Sequence, residues 1–212
     1  MIPNMQHFQS LAGLIETMRR KQSRVVFVSP HLDDAVYSAG ALITTLIAKK
    51  IPVTVINCFT SCSRPYTLSA KAYLAQCGYN DAQHLYQDRK KEDLAIWRAL
   101  RVTSKYLDIE DALFRKLSQP NSVRRYLGHM IPELLHLYPT YRWHIVQGDI
   151  QQDDRHTIET ISQAIRAEKL TRRDFVFAPM GHGNHCDHRL AKTAAQGQKD
   201  STNVLLWADF PY

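Results

Sequence analysis

The sequence predicts an α/β protein with one doubly wound, mostly parallel sheet that carries helices on both faces. Short apolar runs alternate along the chain with longer segments whose apolar residues recur at helical spacing, the pattern of consecutive strand–helix units. A short connection at Ile51-Pro52 joins the helix after the first predicted strand to the second strand. These two strands should therefore be parallel, with a right-handed crossover. Because the 212 residues show no internal repeat, low-complexity tract or linker, we expect a single domain over residues 1–212.

Each element is predicted from its own local pattern. Apolar residues from Phe8 to Met18 have the period of an amphipathic helix, whereas short apolar runs bounded by turn residues indicate buried strands. The pattern weakens over residues 60–87, which begin with a loop at the carboxyl end of a strand. We predict helices at residues 8–18, 35–49, 88–101, 121–138 and 157–170, a helix beginning near His185, and strands at residues 25–28, 53–59, 105–107, 143–146, 175–179 and 204–207.

Composition excludes several classes of protein. The net charge is +7, but the basic residues are scattered and no long basic run interleaves with aromatic residues, so a nucleic-acid partner is disfavoured and an anionic small substrate fits equally well. Four cysteines do not form a disulfide framework, which favours a reducing compartment. No apolar stretch could span a bilayer and no signal peptide opens the chain, so we expect a cytoplasmic protein without a membrane span.

The loop after the first predicted strand concentrates groups that bind cations. His31, Asp33 and Asp34 follow the apolar run of residues 25–28 within a few positions. Ligands of open α/β sheets bind outside the carboxyl ends of the strands. Carboxylates and an imidazole crowded there would repel one another or lack partners unless a cation joined them, which predicts a metal site. The alternative is that the two aspartates only cap the following helix.

A second cluster follows the predicted strand at residues 175–179. The glycine-rich loop after it leads into His185 and His188, which are three positions apart and can face one side of a helical turn. If both strands are parallel, both loops emerge at the same edge of the sheet. With His31 and Asp34, His188 would then complete a mixed nitrogen and oxygen donor set that suits zinc and leaves a position for water. The alternative is a pair of surface histidines.

Together the two motifs resemble the PIG-L/LmbE-like family of zinc-dependent N-deacetylases, which have a Rossmann-like fold and typically act on N-acetylglucosaminyl groups. The resemblance rests on Pro-His-x-Asp-Asp after the first strand and His-x-Asp-His late in the chain. It also covers residues 29–40, the Arg89-x-x-Glu92 helix, the Asp111 region, and residues 178–188 and 207–212. Either motif alone is weak, but both occur in order and each follows a buried strand.

The resemblance implies a role for each of the central residues. His31, Asp34 and His188 match the metal ligands of the family. Asp33 matches the general base, and its side chain should point away from that of its neighbour Asp34. His185 matches the histidine that stabilises the oxyanion or protonates the leaving amine, and we expect it to act as an imidazolium.

Further residues are implied around this centre. Arg89 and Asp111 match substrate-binding positions of the family, and Arg64 lies in the loop predicted at the same edge of the sheet. For these three, a solvated helix charge, a turn residue and a plain loop charge remain the alternatives. We expect Asp187 to lie behind the ligands and orient a histidine of its own motif.

Two departures from the family pattern bear on the site. Gly183 stands where some sugar deacetylases of the family have a tyrosine, so an oxyanion donor is either missing or supplied from elsewhere, for example by His182. The sequence ends at Tyr212, whereas family sequences usually continue, which leaves a short natural form and a truncated one both open.

The predicted function is therefore a metal-dependent hydrolase that removes an N-acetyl or N-acyl group from an amino-sugar conjugate by attack of a zinc-bound water. Zinc lowers the pKa of its bound water to about 7, and Fe²⁺ is an alternative metal. The expected partner is a small N-acetylated amino-sugar conjugate, and a homo-oligomer is left open. Two rivals are a non-catalytic metal- or sugar-binding module on the same fold and a receiver-like Mg²⁺-binding signalling domain.

Overall fold

The computed structural model describes residues 10–210, which form five strands and seven α-helices among shorter turns. Leu11–Arg20 is the first helix, and the Phe8 end of the predicted one lies outside the described residues. No helix in residues 10–210 is long and apolar enough to cross a membrane. The elements are α1 Leu11–Arg20, β1 Val25–Ser29, α2 Asp34–Ala48, β2 Val53–Ser61, α3 Leu68–Gln76, α4 Ala82–Ala99, β3 Thr103–Glu110, α5 Ser122–Leu127, α6 Arg155–Ala167, β4 Phe175–Pro179, α7 Cys186–Gln196 and β5 Asn203–Trp207.

The sheet confirms the predicted α/β class. Its strands are all parallel and lie in the order β3-β2-β1-β4-β5. The chain builds outward from β1 to β3 and then returns to place β4 on the other side of β1, so the strand order reverses between β1 and β4. Ligands of such sheets bind at this switch point, beyond the carboxyl ends of the strands. The loops after β1 and β4 both emerge there.

Apolar side chains cover both faces of the sheet. On one face Phe27 stacks on Phe177, with ring centroids 4.9 Å apart, and packs beside α1, α2 and Trp97 of α4. On the other face alternate residues such as Val26 and Val176 pack against α6 and α7. This burial on both sides explains why the central strands are continuous apolar runs rather than alternating ones.

A third apolar cluster lies over the carboxyl end of the sheet. The helices in this region differ from the predicted ones. Residues 60–87 contain α3 and the first turn of α4, each begun by an N-cap side chain, Thr67 and Asp81. Helix α4 therefore starts six residues before the predicted Asp88. The predicted extended piece at residues 105–107 is the middle of the longer β3.

Two predictions in the region between β3 and α6 are wrong. The helix predicted over residues 121–138 begins as expected after the Asn121 cap, but α5 ends at Leu127 with Gly128 as its C-cap, and Pro132 begins a separate short turn. The strand predicted at residues 143–146 is a π-helical turn, Tyr141–Ile145. Ile145 of this turn is buried in the third cluster, so its apolar character reflects packing and not sheet pairing.

Candidate active site

The loop after β1 is fixed by its own hydrogen bonds. Ser29 Oγ donates to the His31 carbonyl (2.6 Å) and accepts from the Ala35 amide (3.0 Å), so a serine satisfies the first turn of α2. The Asp33 side chain makes no capping hydrogen bond. Asp34 Oδ2 accepts from the His31 amide (2.9 Å), which turns this carboxylate back toward the His31 ring. Capping alone therefore does not explain the two aspartates.

The loop after β4 places the second cluster opposite the first. Gly181 has a φ of +77°, in the left-handed region that favours glycine, and turns the chain from β4 into the loop. The Asp187 amide donates to His185 Nδ1 (3.3 Å) at the start of α7. His188 follows one turn later and is buried. His182 is exposed and uses its backbone amide to bind Asp209 Oδ2 (2.9 Å).

Three side chains from these loops form a compact donor set. Asp34 Oδ2 lies 3.1 Å from His31 Nδ1 and 3.3 Å from His188 Nε2. His188 Nδ1 lies 2.6 Å from Asp209 Oδ1, just beyond β5, and this carboxylate fixes the ring with Nε2 toward Asp34. His31, Asp34 and His188 could hold one metal ion, since their donor atoms all lie within 4.8 Å of one another. Two imidazoles and one carboxylate are a set used by zinc and non-haem iron.

The electrostatics around His31 favour a positive charge. Asp34, Asp111 and Asp187 each have a carboxylate oxygen within 3.4 Å of a His31 ring nitrogen. Burial alone would lower the pKa of His31, but the hydrogen bonds to Asp187 and Asp34 and the charge of Asp111 raise it well above its ordinary value. Three carboxylates converging on one point are the surroundings in which a divalent cation binds.

His185 lies in the same cluster but has the opposite electrostatic character. Burial, followed by the charge of His31, lowers the pKa of His185 to about 3. The ring is therefore neutral near pH 7, in place of the imidazolium expected from the sequence. Because the Asp187 amide donates to Nδ1, that nitrogen is the acceptor, and the hydrogen-bond geometry assigns the proton to Nε2.

A cavity of about 290 Å³ is lined by His31 and Asp34 of the donor set and by His185. Asp33 lines it with a side chain that is 46% exposed, and Arg89 Nη2 lies 3.8 Å from Asp33 Oδ2. Asp111 lines it too, and its Oδ2 accepts from Tyr86 (2.7 Å). The wall also contains residues that the sequence did not single out, namely Tyr37, Tyr73, Leu113, Tyr141 and Phe210.

Arg64 is not brought to this cavity. Its Nη2 lies 3.4 Å from Asp81 Oδ2, its guanidinium packs over the Tyr66 ring at 5.2 Å, and its side chain is 67% exposed. Arg89 and Asp111 are thus the two predicted substrate-binding residues that line the cavity.

A buried arginine behind the site was missed by sequence reasoning. The guanidinium of Arg115 donates to Asp187 and lies 3.1 Å from Asp154 Oδ1. Asp187 in turn places Oδ2 3.3 Å from His31 Nε2, so it orients a histidine of the other motif as well as binding His185 through its amide. Arg115 is separated in sequence from both motifs, and only the fold brings it there.

Comparisons with known proteins agree with this geometry. A family model described as PIG-L, GlcNAc-PI de-N-acetylase, matches residues 26–197. A deacetylase of teicoplanin biosynthesis, solved in complex with teicoplanin, is 26% identical with a TM-score of 0.69, over 90% of this chain and 71% of that one. The zinc-inhibited form of teicoplanin deacetylase Orf2 is 25% identical with a TM-score of 0.68, over 90% and 69% of the two chains. No curated protein sequence matches. The chain therefore belongs to the PIG-L family of de-N-acetylases, as its two motifs predict.

Proposed function

We propose that the chain is a metal-dependent N-deacetylase that hydrolyses the N-acetyl or N-acyl amide of an amino-sugar conjugate. One observation carries the proposal: His31 and Asp34, two members of a two-histidine, one-carboxylate donor set, line a cavity together with Asp33, which is not a member of that set. Membership of the de-N-acetylase family and the likeness to teicoplanin deacetylases support it.

The residues His31, Asp34 and His188 would hold the ion, and we propose Zn²⁺, with Fe²⁺ as the alternative. Such an ion supplies Lewis acidity, which polarises an amide carbonyl and makes water a stronger acid near neutral pH. Asp187 and Asp209 keep His31 and His188 in position from behind. The same carboxylates would raise the basicity of the two rings as ligands.

Asp33 is proposed as the general base. Its partner in the described structure is Arg89, whose Nη2 lies 3.8 Å from Asp33 Oδ2 at the wall of the same cavity. Asp33 would take a proton from the attacking water and pass it to the amide nitrogen as the C–N bond breaks, so the products are a carboxylate and a free amine. Proton transfer of this kind contributes roughly 10²–10⁴ in rate.

His185 is proposed to donate a hydrogen bond from Nε2 to the carbonyl oxygen as negative charge develops on it. A neutral donor does this without first acquiring a proton, and a fixed donor of this kind typically contributes about 10²–10³ in rate. Tyr141 approaches the His185 ring edge-on, with centroids 6.3 Å apart, and closes this side of the cavity.

The substrate would be recognised by the polar wall of the cavity. We propose that the Asp111 carboxylate accepts hydrogen bonds from sugar hydroxyl groups and that Arg89 donates to the substrate. Arg64 is left out of this proposal because it pairs with Asp81 away from the cavity.

The test is hydrolysis of a panel of N-acetylglucosamine conjugates by the purified chain after loading with Zn²⁺ or Fe²⁺. Acetate and free amine should appear in equal amounts. Asp33→Asn should keep its metal and lose roughly 10²–10⁴ in rate, whereas His188→Ala should lose the metal itself.

The outcomes separate the steps of the proposal. Full activity of Asp33→Asn would remove Asp33 from the role of base. Unchanged metal content of His188→Ala would overturn the ligand assignment. Stoichiometric metal binding and sugar binding without turnover of any conjugate would show a non-catalytic module.

A further inference from the structure

A segment made of α5 and the turn after it leaves its apolar side chains uncovered. Val123, Tyr126 and Leu127 belong to α5, and Met130 and Ile131 follow it before Pro132. All five are exposed, and Tyr126 and Met130 are 79% and 83% exposed. Exposed apolar side chains grouped in this way commonly mark an interaction site.

The segment contacts the rest of the protein through Gly128. The chain turns tightly after α5, where the Met130 and Ile131 amides both donate to the Leu127 carbonyl, at 3.0 and 2.9 Å. Gly128 is buried, and a Cβ at that position would collide with the Leu135 side chain. The segment is thus seated through Gly128, and its five apolar side chains stay exposed.

Two neighbouring elements add further exposed apolar side chains. Leu68 at the start of α3 is 74% exposed, and its amide binds Glu133, which follows the segment. Trp143 is 69% exposed and lies in the π-helical turn whose Tyr141 lines the cavity. We call this surface, made of Leu68, Val123, Tyr126, Leu127, Met130, Ile131, Tyr141 and Trp143, the apolar rim.

The charged side chains of the segment itself are basic, whereas the neighbouring Glu133 is acidic. Residues 121–131 contain Arg124, Arg125 and His129 and no acidic residue, and Arg142 adjoins Trp143. These three arginines are exposed. Apolar and aromatic side chains flanked by arginines are the composition of segments that lie in the interface of anionic membranes. A second copy of the chain would be opposed by like charges if it covered the rim across a twofold axis.

We propose that the apolar rim docks the protein on the surface of a bilayer containing anionic lipids. The apolar side chains of the rim insert among the lipid headgroups while the arginines contact lipid phosphates, and the cavity mouth at Tyr141 then lies close to the lipid surface. The proposal goes beyond the hydrolytic function and does not depend on it, because docking is measured without turnover.

The experiment is sedimentation of the purified chain with vesicles of phosphatidylglycerol and phosphatidylcholine, and with vesicles of phosphatidylcholine alone. We expect binding to the anionic vesicles that weakens as salt is raised. The double variant Tyr126→Ser/Met130→Ser should bind at least about tenfold more weakly, because two inserted side chains are removed. The matched control is Leu11→Ser, which removes an exposed apolar side chain of α1 outside the rim.

Both variants change exposed side chains, and an unchanged Tm will show that they fold. Failure of the wild-type chain to bind anionic vesicles would overturn the proposal. Equal binding to neutral vesicles would overturn its electrostatic part, and binding by the double variant equal to that of wild type would overturn the assignment to the rim. A wild-type dimer that the double variant dissociates would show instead that a second copy covers this face.

Discussion

Replacing Arg115 by methionine tests whether this buried arginine stabilises the candidate active site. Arg115 is 7% exposed and lies between Asp187 and Asp154, both of which are fully buried. Its guanidinium also packs over the rings of Phe59 and Tyr138 at 5.0 and 5.4 Å, contacts that methionine largely keeps. Arg115→Met therefore removes mainly the charge and leaves two buried carboxylates without the guanidinium that they share. Breaking a buried ion pair costs about 3–5 kcal/mol, so we expect a loss of this size in the free energy of unfolding near pH 7.

The pH dependence identifies the cause of this loss. Burial would raise the pKa of Asp187, but the charge of Arg115 and the hydrogen bond to His31 hold it below its ordinary value. The stability that this pairing gives is present above the ordinary aspartate pKa and is lost as the pH falls through the lower folded value. In Arg115→Met the carboxyl groups take up protons more readily, so the difference from wild type should shrink between about pH 7 and about pH 5.

The assay is urea unfolding of wild type, Arg115→Met and Arg115→Lys at both pH values, with metal affinity measured in parallel. Lysine keeps the charge but cannot reach both carboxylates in the same geometry, so its stability should be intermediate. Metal affinity should fall about 10–100-fold in the methionine variant because Asp187 no longer holds His31 in place. A methionine variant within about 1 kcal/mol of wild type near pH 7, with metal affinity unchanged, would refute the reasoning.

Two further predictions concern the carboxylates of Asp209 and Asp93. Asp209→Ala should weaken metal binding about 10–100-fold, because Asp209 fixes the His188 ring through Nδ1, and isothermal titration with Zn²⁺ measures the change; unaltered affinity would contradict that role. Burial raises the pKa of Asp93 to about 6 despite its hydrogen bonds from Tyr106, Trp97 and Asn57. Its contribution to stability should therefore decline as the pH rises from about 4 to about 6. Carboxyl ¹³C NMR should give a midpoint near 6, and a midpoint below about 4.5 would be inconsistent with the burial.

The parts of the site that the sequence could predict are those adjacent to strand ends. His31 and Asp34 follow β1, and His185 and His188 follow β4, so the parallel sheet alone is enough to bring them to one edge. Both motifs do meet, and the residues predicted as ligands lie within reach of a single ion. The sequence could not predict that Asp187 orients His31. This contact depends on the distance between two loops and not on the spacing of residues within one loop.

Other features depended on contacts between distant segments. Arg115 has no motif around it, and its position is set by two aspartates that lie far away in sequence. The apolar run at residues 143–146 satisfied the local criteria for a strand, yet Ile145 packs in a helical turn, because a short apolar run cannot distinguish the two environments. The sequence does contain local signals for α3 and for the interruption after α5, namely the N-cap residue Thr67 and Pro132.

The strand order also determines when the site can exist during folding. His31 and Asp187, which meet at 3.3 Å, are 156 positions apart in the sequence. The first three strands can pair through local crossovers, but β4 must close a long loop before it docks beside β1. A chain that has formed only its amino-terminal half holds two of the three donors and should retain an ion poorly. Under the proposed function, metal capture is thus expected as a late event that marks completion of the sheet, and metal retention would then serve as a test of folding for variants in other parts of the chain.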